Sequence, residues 1–174
     1  TRPAGEIQDL NRFVIPRGYS YQDRTRAGAV ASKKAICTAL VEAAAQGKPI
    51  LGICNGAQIL VETGLVPGHE PESVEMALAD NKVEGKDGYH CDWVYIRAEA
   101  NPEFAFSRLF NDNEVIPIPV AHAEGRFVTA DEGVLEKIVS NRQVGFKYCT
   151  ADGKSVDVFP VNPNGAQLNM AGLY

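Results

Sequence analysis

The sequence predicts an α/β domain in which a layered, mainly parallel sheet is flanked by helices. Three observations lead there. Short apolar runs alternate with helical patterns, as in FVIP at residues 13–16, AGAVASKKAICTALVEAAAQ at 27–46 and PILGI at 49–53. The 174 residues are 45% hydrophobic, enough for one core of ordinary domain size. The apolar run at 49–53 passes directly into a helical pattern through Gly52-Ile53-Cys54-Asn55-Gly56, a strand-to-helix junction. With no internal repeat, low-complexity tract or linker in the chain, one domain over residues 1–174 is the expectation.

Each element follows from local composition. Phe13 to Pro16 reads as the tail of a strand, and a polar, glycine-containing loop runs on through Arg26. The alanine-rich stretch from Ala27 to Gln46 predicts one helix, with Gly47 as its C-cap. Pro49 to Ile53 is a buried strand and Ala57 to Thr63 the next helix, stopped by Gly64. A polar loop containing Pro67, Gly68 and Pro71 leads to Tyr89–Ala98, which has partial strand-like alternation. Glu114 to Val120 is β-like but holds Pro117 and Pro119, which cannot donate to a ladder, so it belongs at an edge or a bulge. Asp131 to Ser140 reads as a helix, Gln143 to Cys149 as a strand and Asn162 to Gly165 as a turn. A parallel α/β sheet usually opens on a hydrophobic strand and closes on a helix. This chain opens polar and stops at AGLY, so a fragment lacking segments at both ends is the expectation.

Charge narrows the function classes. A net charge of −5 and a sequence pI near 5.2 provide no basic field for a phosphate backbone or an anionic membrane, which argues against nucleic acid as a partner. No apolar run approaches the roughly 20 residues that span a bilayer, and TRPAGEIQDL lacks the apolar centre of a signal peptide; a cytoplasmic protein is expected. Cys37, Cys54, Cys91 and Cys149 are scattered without metal-finger spacing and read as reduced thiols, with no metal site.

Cys54 stands apart from the other three. G-x-C-x-G between a strand and a helix is the nucleophile-elbow arrangement with sulfur in place of the hydroxyl. So sharp a reversal brings neighbouring backbone too close for a Cβ, and Gly52 and Gly56 remove that clash. A sulfur at a helix N-terminus sees the positive end of the macrodipole, which favours the reactive thiolate. The N–H of Asn55 then points toward any oxyanion formed when Cys54 attacks a carbonyl.

The segment GKPILGICNGAQILVETGLVPG resembles the nucleophile segment of class I, triad-type glutamine amidotransferases, with their signature G-x-C-x-G-x-Q. More narrowly, it is similar to the glutaminase-subunit family of phosphoribosylformylglycinamidine synthase. PRGYSYQDRTRAGAVA at 16–31, PIPVAHAEGRF at 117–127 and NPNGAQLNMAG at 162–172 match that family in order. The resemblance implies a flavodoxin-like class I amidotransferase fold and a catalytic Cys54 that takes the glutaminyl group of L-glutamine as a thioester. It implies that the amides of Gly18 and Asn55 form the oxyanion hole, and that Gly56 and Gln58 belong to the substrate-binding segment. No cofactor is implied in this subunit. ATP and magnesium would belong to a synthetase subunit, which would receive the ammonia and assemble with a small accessory subunit. Two departures from the family pattern stand out. Arg17 stands where the family has the first glycine of P-G-G after a proline, and the family's late P-H-P-E segment is missing, so the triad histidine and glutamate are expected beyond Tyr174.

The remaining candidates have plainer readings. His122-Ala123-Glu124 has the spacing of a base and its carboxylate, but it matches a family stretch upstream of the triad segment and is expected to line the cleft or a subunit contact. His69 reads as a solvated loop residue, His90 as a packed or hydrogen-bonded histidine, and Trp93 as core or interface. Tyr19, Ser20, Tyr21, Asp23 and Arg24 form either a surface loop or a wall of the glutamine pocket or docking surface. Two alternatives to a glutaminase stand beside it: a non-catalytic docking module of the same complex, and a cysteine hydrolase of the DJ-1/PfpI-like kind.

Overall fold

The computed structural model describes residues 9–16, 18, 27–71, 73–83 and 86–174. Arg17 and the aromatic loop 19–24 lie outside the described residues. Internal contacts divide the chain into two compact units, residues 1–75 and 76–174. No helix among the described residues is long and apolar enough to cross a membrane.

The first unit is built on two short parallel strands, β1 (Phe13–Ile15) and β2 (Ile50–Gly52), in the register Phe13↔Ile50, Val14↔Leu51, Ile15↔Gly52. Parallel neighbours need a crossover, and helices supply it. The single helix expected over 27–46 is two: α1 (Ala27–Ser32) and α2 (Ala35–Ala45). The break has a local cause. The Ser32 hydroxyl turns back to donate to the Ala29 carbonyl at 3.0 Å, and Lys34 adopts extended geometry (φ −85°, ψ 148°) as the N-cap of α2. The C-terminus falls where expected. Gly47, at φ +74°, donates to Ala44 O and Lys48 N donates to Ala43 O, the paired bonds of a Schellman closure. Phe13, Ala39, Leu40 and Ala43 form the core of this unit, with Leu10, Ile15, Ile36 and Ile50 packed around them. The third helix, α3 (Asn55–Glu62), starts three residues beyond β2's last residue and ends in the same closure through Gly64.

The second unit departs from the expected architecture. Its largest sheet is four-stranded in the order β10-β9-β6-β7, where β6 is His90–Ala98, β7 Val115–His122, β9 Val144–Cys149 and β10 Met170–Leu173. Every pairing in it is antiparallel. Smaller antiparallel pairs join β3 (Ala77–Ala79) to β8 (Arg126–Val128) and β4 (Lys82–Val83) to β5 (Lys86–Asp87). Among the described residues only β1 and β2 are parallel, which corrects the expectation of a mainly parallel sheet. The physical reason is in β6, where Val94, Ile96 and Ala98 are buried while Trp93 and Tyr95 stand exposed; such alternation marks a sheet with one wet face. Trp93 is 70% exposed, so it is not core.

β7 lies at the sheet edge, as its prolines require. Pro117 and Pro119 pair with Tyr95 and Trp93, two residues apart and therefore on one side of the strand, so both missing N–H groups fall away from the ladder. Val94, Ile96 and Tyr148 form the core beneath, covered by Ile116, Val120, Phe146 and Ala171. The helix α4 (Glu132–Ser140) is capped by the Asp131 carboxylate, which accepts from Gly133 N at 2.8 Å. The turn at 162–165 is built by its first residue: Asn162 Oδ1 accepts from the amides of Gly165 and Ala166.

Candidate active site

β2 delivers the chain to the elbow. Ile53 N still donates to Ile15 O at 2.9 Å, extending the pairing by one residue, and α3 begins immediately after Cys54. Cys54 takes up the reversal with φ 56° and ψ −114°, a region that residues with a Cβ rarely adopt. The flanking glycines are there for close approach. A Cβ on Gly52 would meet Gly56 C and O at 2.6 Å, and one on Gly56 would meet Ile15 O at 2.1 Å. Helix, elbow and both strands are therefore in backbone contact, and no larger residue fits at either glycine.

The helix closes on itself around the cysteine. Gly56 N donates to Ile53 O at 2.9 Å and Gln58 N to Cys54 O at 3.1 Å, so the Cys54 carbonyl starts the helical ladder. Asn55 and Gln58 are both buried, and Asn55 Nδ2 donates to Gln58 Oε1 at 2.6 Å. Gln58 is therefore part of a rigid first turn. The Cys54 thiol is free and partly exposed. Cys37 and Cys149 differ: both are buried, and burial pushes their thiols up, against opposing pulls from Lys34 and Arg97 respectively. Cys91 is exposed on a strand without an elbow.

Gly18 is exposed and lies three residues beyond the end of β1. Because β1 and β2 are parallel with Ile15 opposite Gly52, Gly18 and Cys54 both leave the same, carboxyl end of the strand pair. The structure thus brings Cys54, Asn55, Gly56 and Gln58 together in one turn, with Gly18 following the strand that ends at the same edge.

Of the three histidines, one departs from its sequence reading. His69 is not a solvated loop residue: its side chain is 7% exposed and Nδ1 lies 3.2 Å from Oε1 of Glu75, itself 6% exposed. Glu75 also accepts from the backbone amides of His69 and Glu70, so the carboxylate ties the loop after α3. Sequence reasoning missed Glu75 because nothing marks a carboxylate six residues away as a loop tie. His90 packs edge-on against Phe159, with ring centroids 5.7 Å apart. His122 sits at the end of β7 with Nδ1 3.1 Å from Asn81 Oδ1.

Elbow, parallel pair and buried polar helix turn form a nucleophile-elbow arrangement with a cysteine at its bend. A family model described as the CobB/CobQ-like glutamine amidotransferase domain matches residues 2–174, and the chain belongs to that family. The membership decides between the amidotransferase and the DJ-1/PfpI-like reading. Among curated proteins the chain is 43% identical to phosphoribosylformylglycinamidine synthase subunit PurQ of Methanothrix thermoacetophila, over 99% of this chain and 67% of that protein. It is 42% identical to the subunit of the same name from Natronomonas pharaonis, over 97% of this chain and 69% of the relative. A chain of the solved structure of PurLQS from Thermotoga maritima is 34% identical with a TM-score of 0.68, over 93% of this chain and 61% of that one. The chain therefore spans about two thirds of the length of the proteins it matches.

Proposed function

We propose that this chain is the glutamine-hydrolysing part of phosphoribosylformylglycinamidine synthase, supplying ammonia for purine biosynthesis. The observation that carries the reading is the left-handed Cys54, clasped between Gly52 and Gly56 at the junction of a strand and a buried helix turn. Membership of the glutamine amidotransferase family and the names of relatives that match almost the whole chain support the reading.

In the proposed reaction the Cys54 sulfur attacks the side-chain amide carbon of glutamine. The carbonyl oxygen becomes an oxyanion and accepts from the amides of Asn55 and Gly18. Collapse expels ammonia and leaves a γ-glutamyl thioester, which water hydrolyses to glutamate and the free thiol. Rigidity serves this chemistry. The bond from Asn55 to Gln58 and the contact of Gly56 with Ile15 O hold the Asn55 amide still while charge develops, so little reorganisation is needed. Gly56 and Gln58 shape the floor beneath the bound glutamine. The resemblance gives the roles of base and carboxylate to a histidine and a glutamate of a P-H-P-E segment. Ammonia passes to a synthetase subunit, which holds the ATP and magnesium and assembles with a small accessory subunit; this chain needs no cofactor of its own and works in the cytoplasm. The PurLQS assembly, in which the solved neighbour was determined, supports the synthetase partner.

The test is glutamine hydrolysis by the full-length protein in complex with its synthetase. Cys54→Ala is expected to abolish turnover and labelling by 6-diazo-5-oxonorleucine while complex formation persists. Unchanged turnover would overturn the reading, and a native protein that binds the synthetase without forming a thioester would establish a docking module instead.

A further inference from the structure

The turn between β7 and β8, His122-Ala123-Glu124-Gly125, is held by side chains remote in sequence. Asn81, 3% exposed, sits against it. Its Nδ2 donates to the carbonyls of Gly88 at 2.9 Å and His122 at 2.8 Å, and its backbone N–H donates to Ala123 O at 2.8 Å. Its Oδ1 accepts from Gly125 N at 3.2 Å. A carbonyl cannot donate and a peptide N–H cannot accept, so these partners fix which end of the amide is oxygen. That oxygen lies 3.1 Å from Nδ1 of His122. From the other side, the wholly buried Asn164 donates to Gly125 O at 2.8 Å. The imidazole also lies flat on Gly125, where a Cβ would come within 2.6 Å of Nδ1.

We infer that Asn81 is a positioning residue that locks His122 in the Nδ1–H tautomer and so makes Nε2 the proton-accepting nitrogen of the ring. An amide oxygen at 3.1 Å satisfies Nδ1 only if Nδ1 carries the hydrogen. The neutral ring then has its lone pair at Nε2, the opposite of the tautomer that imidazole side chains favour in water. The partner at Nδ1 matters as well. In a nucleophile–histidine–carboxylate arrangement the oxygen behind the ring is charged and stabilises the imidazolium; Asn81 orients the ring without that charge. A ring with its hydrogen at Nδ1 presents the Nε2 lone pair to an N–H or O–H donor. This goes beyond the glutaminase reading and does not rest on it.

Long-range 1H–15N correlation spectra of the histidine-labelled full-length protein test it, with the His122 signals assigned by their loss in His122→Gln. A pyrrole-type shift at Nδ1 and a pyridine-type shift at Nε2 are expected near neutral pH. The reverse pattern, or averaged shifts, would overturn the inference. Asn81→Asp keeps the oxygen and is expected to keep Nδ1–H; losing it there would also overturn the inference. Asn81→Leu removes the acceptor and is expected to release the ring to the Nε2–H form or to averaging. A folded Asn81→Leu that retains Nδ1–H would show that the asparagine serves packing alone. If that variant does not fold, the native protein and Asn81→Asp decide the matter.

Discussion

The elbow at Gly52–Gln58 and the turn at His122–Gly125 are both tight, and they are held by opposite means. At the elbow, backbone packs on backbone, with glycines removing every Cβ that would intervene. At the turn, side-chain amides from Asn81 and Asn164 take up the backbone groups one by one. The difference teaches what each can tolerate. Backbone packing is absolute, because a carbonyl 2.1 Å from a new Cβ cannot step aside. A clamp of hydrogen bonds is graded: losing one bond costs a part and leaves the rest.

The comparison can be broken first at the sulfur. Cys54→Ala should lower glutamine turnover by about 10^4-fold or more, measured as glutamate release by the full complex, with melting temperature almost unchanged. Gly56→Ala should be worse for the fold than for any single contact. The new methyl collides with Ile15 O, and a loss of about 3 kcal/mol or more is expected in urea unfolding. If Gly56→Ala is tolerated, the elbow is looser than its geometry states.

The clamped turn should respond less. Asn164→Ala leaves Gly125 O and the Tyr148 hydroxyl without their amide donor, and should cost about 1–3 kcal/mol by the same measurement. Glu75→Ala is expected to fall at the lower end of that range, about 1–2 kcal/mol, since it removes a carboxylate shared by two backbone amides and the His69 ring in a loop rather than in the core.

The smallest effect depends on pH. Burial, partly opposed by the bond from Asn164, pushes the Tyr148 hydroxyl above its ordinary value of 10.0. The folded chain therefore keeps this proton where the unfolded chain releases it. The associated stability is present below pH 10 and is lost as pH rises past it, so Tyr148→Phe should flatten alkaline unfolding without changing its acid limb.

Legibility in the sequence follows from the same contrast. The elbow was readable because its reasons are local: glycine, cysteine and glycine fall within five positions, and the strand before and helix after are each set by neighbouring residues. The edge placement of β7 was readable because proline has no N–H. The antiparallel second unit was only half readable. Alternation in Tyr89–Ala98 was visible, but the strands that pair around it are short and plain in composition, and nothing in AGLY marks the edge strand β10. The break at Ser32–Lys34 was hidden because alanine-rich composition favours helix on both sides of it.

What the sequence determined by itself is an elbow: a thiol at a bend that only flanking glycines permit, a fact of chain geometry over a few residues. What only the tertiary structure decided is the state of a histidine. Asn81 and His122 are 41 residues apart, and neither residue type announces the other. Hydrogen-bond direction depends on which atoms folding brings within about 3 Å, and local spacing does not encode that.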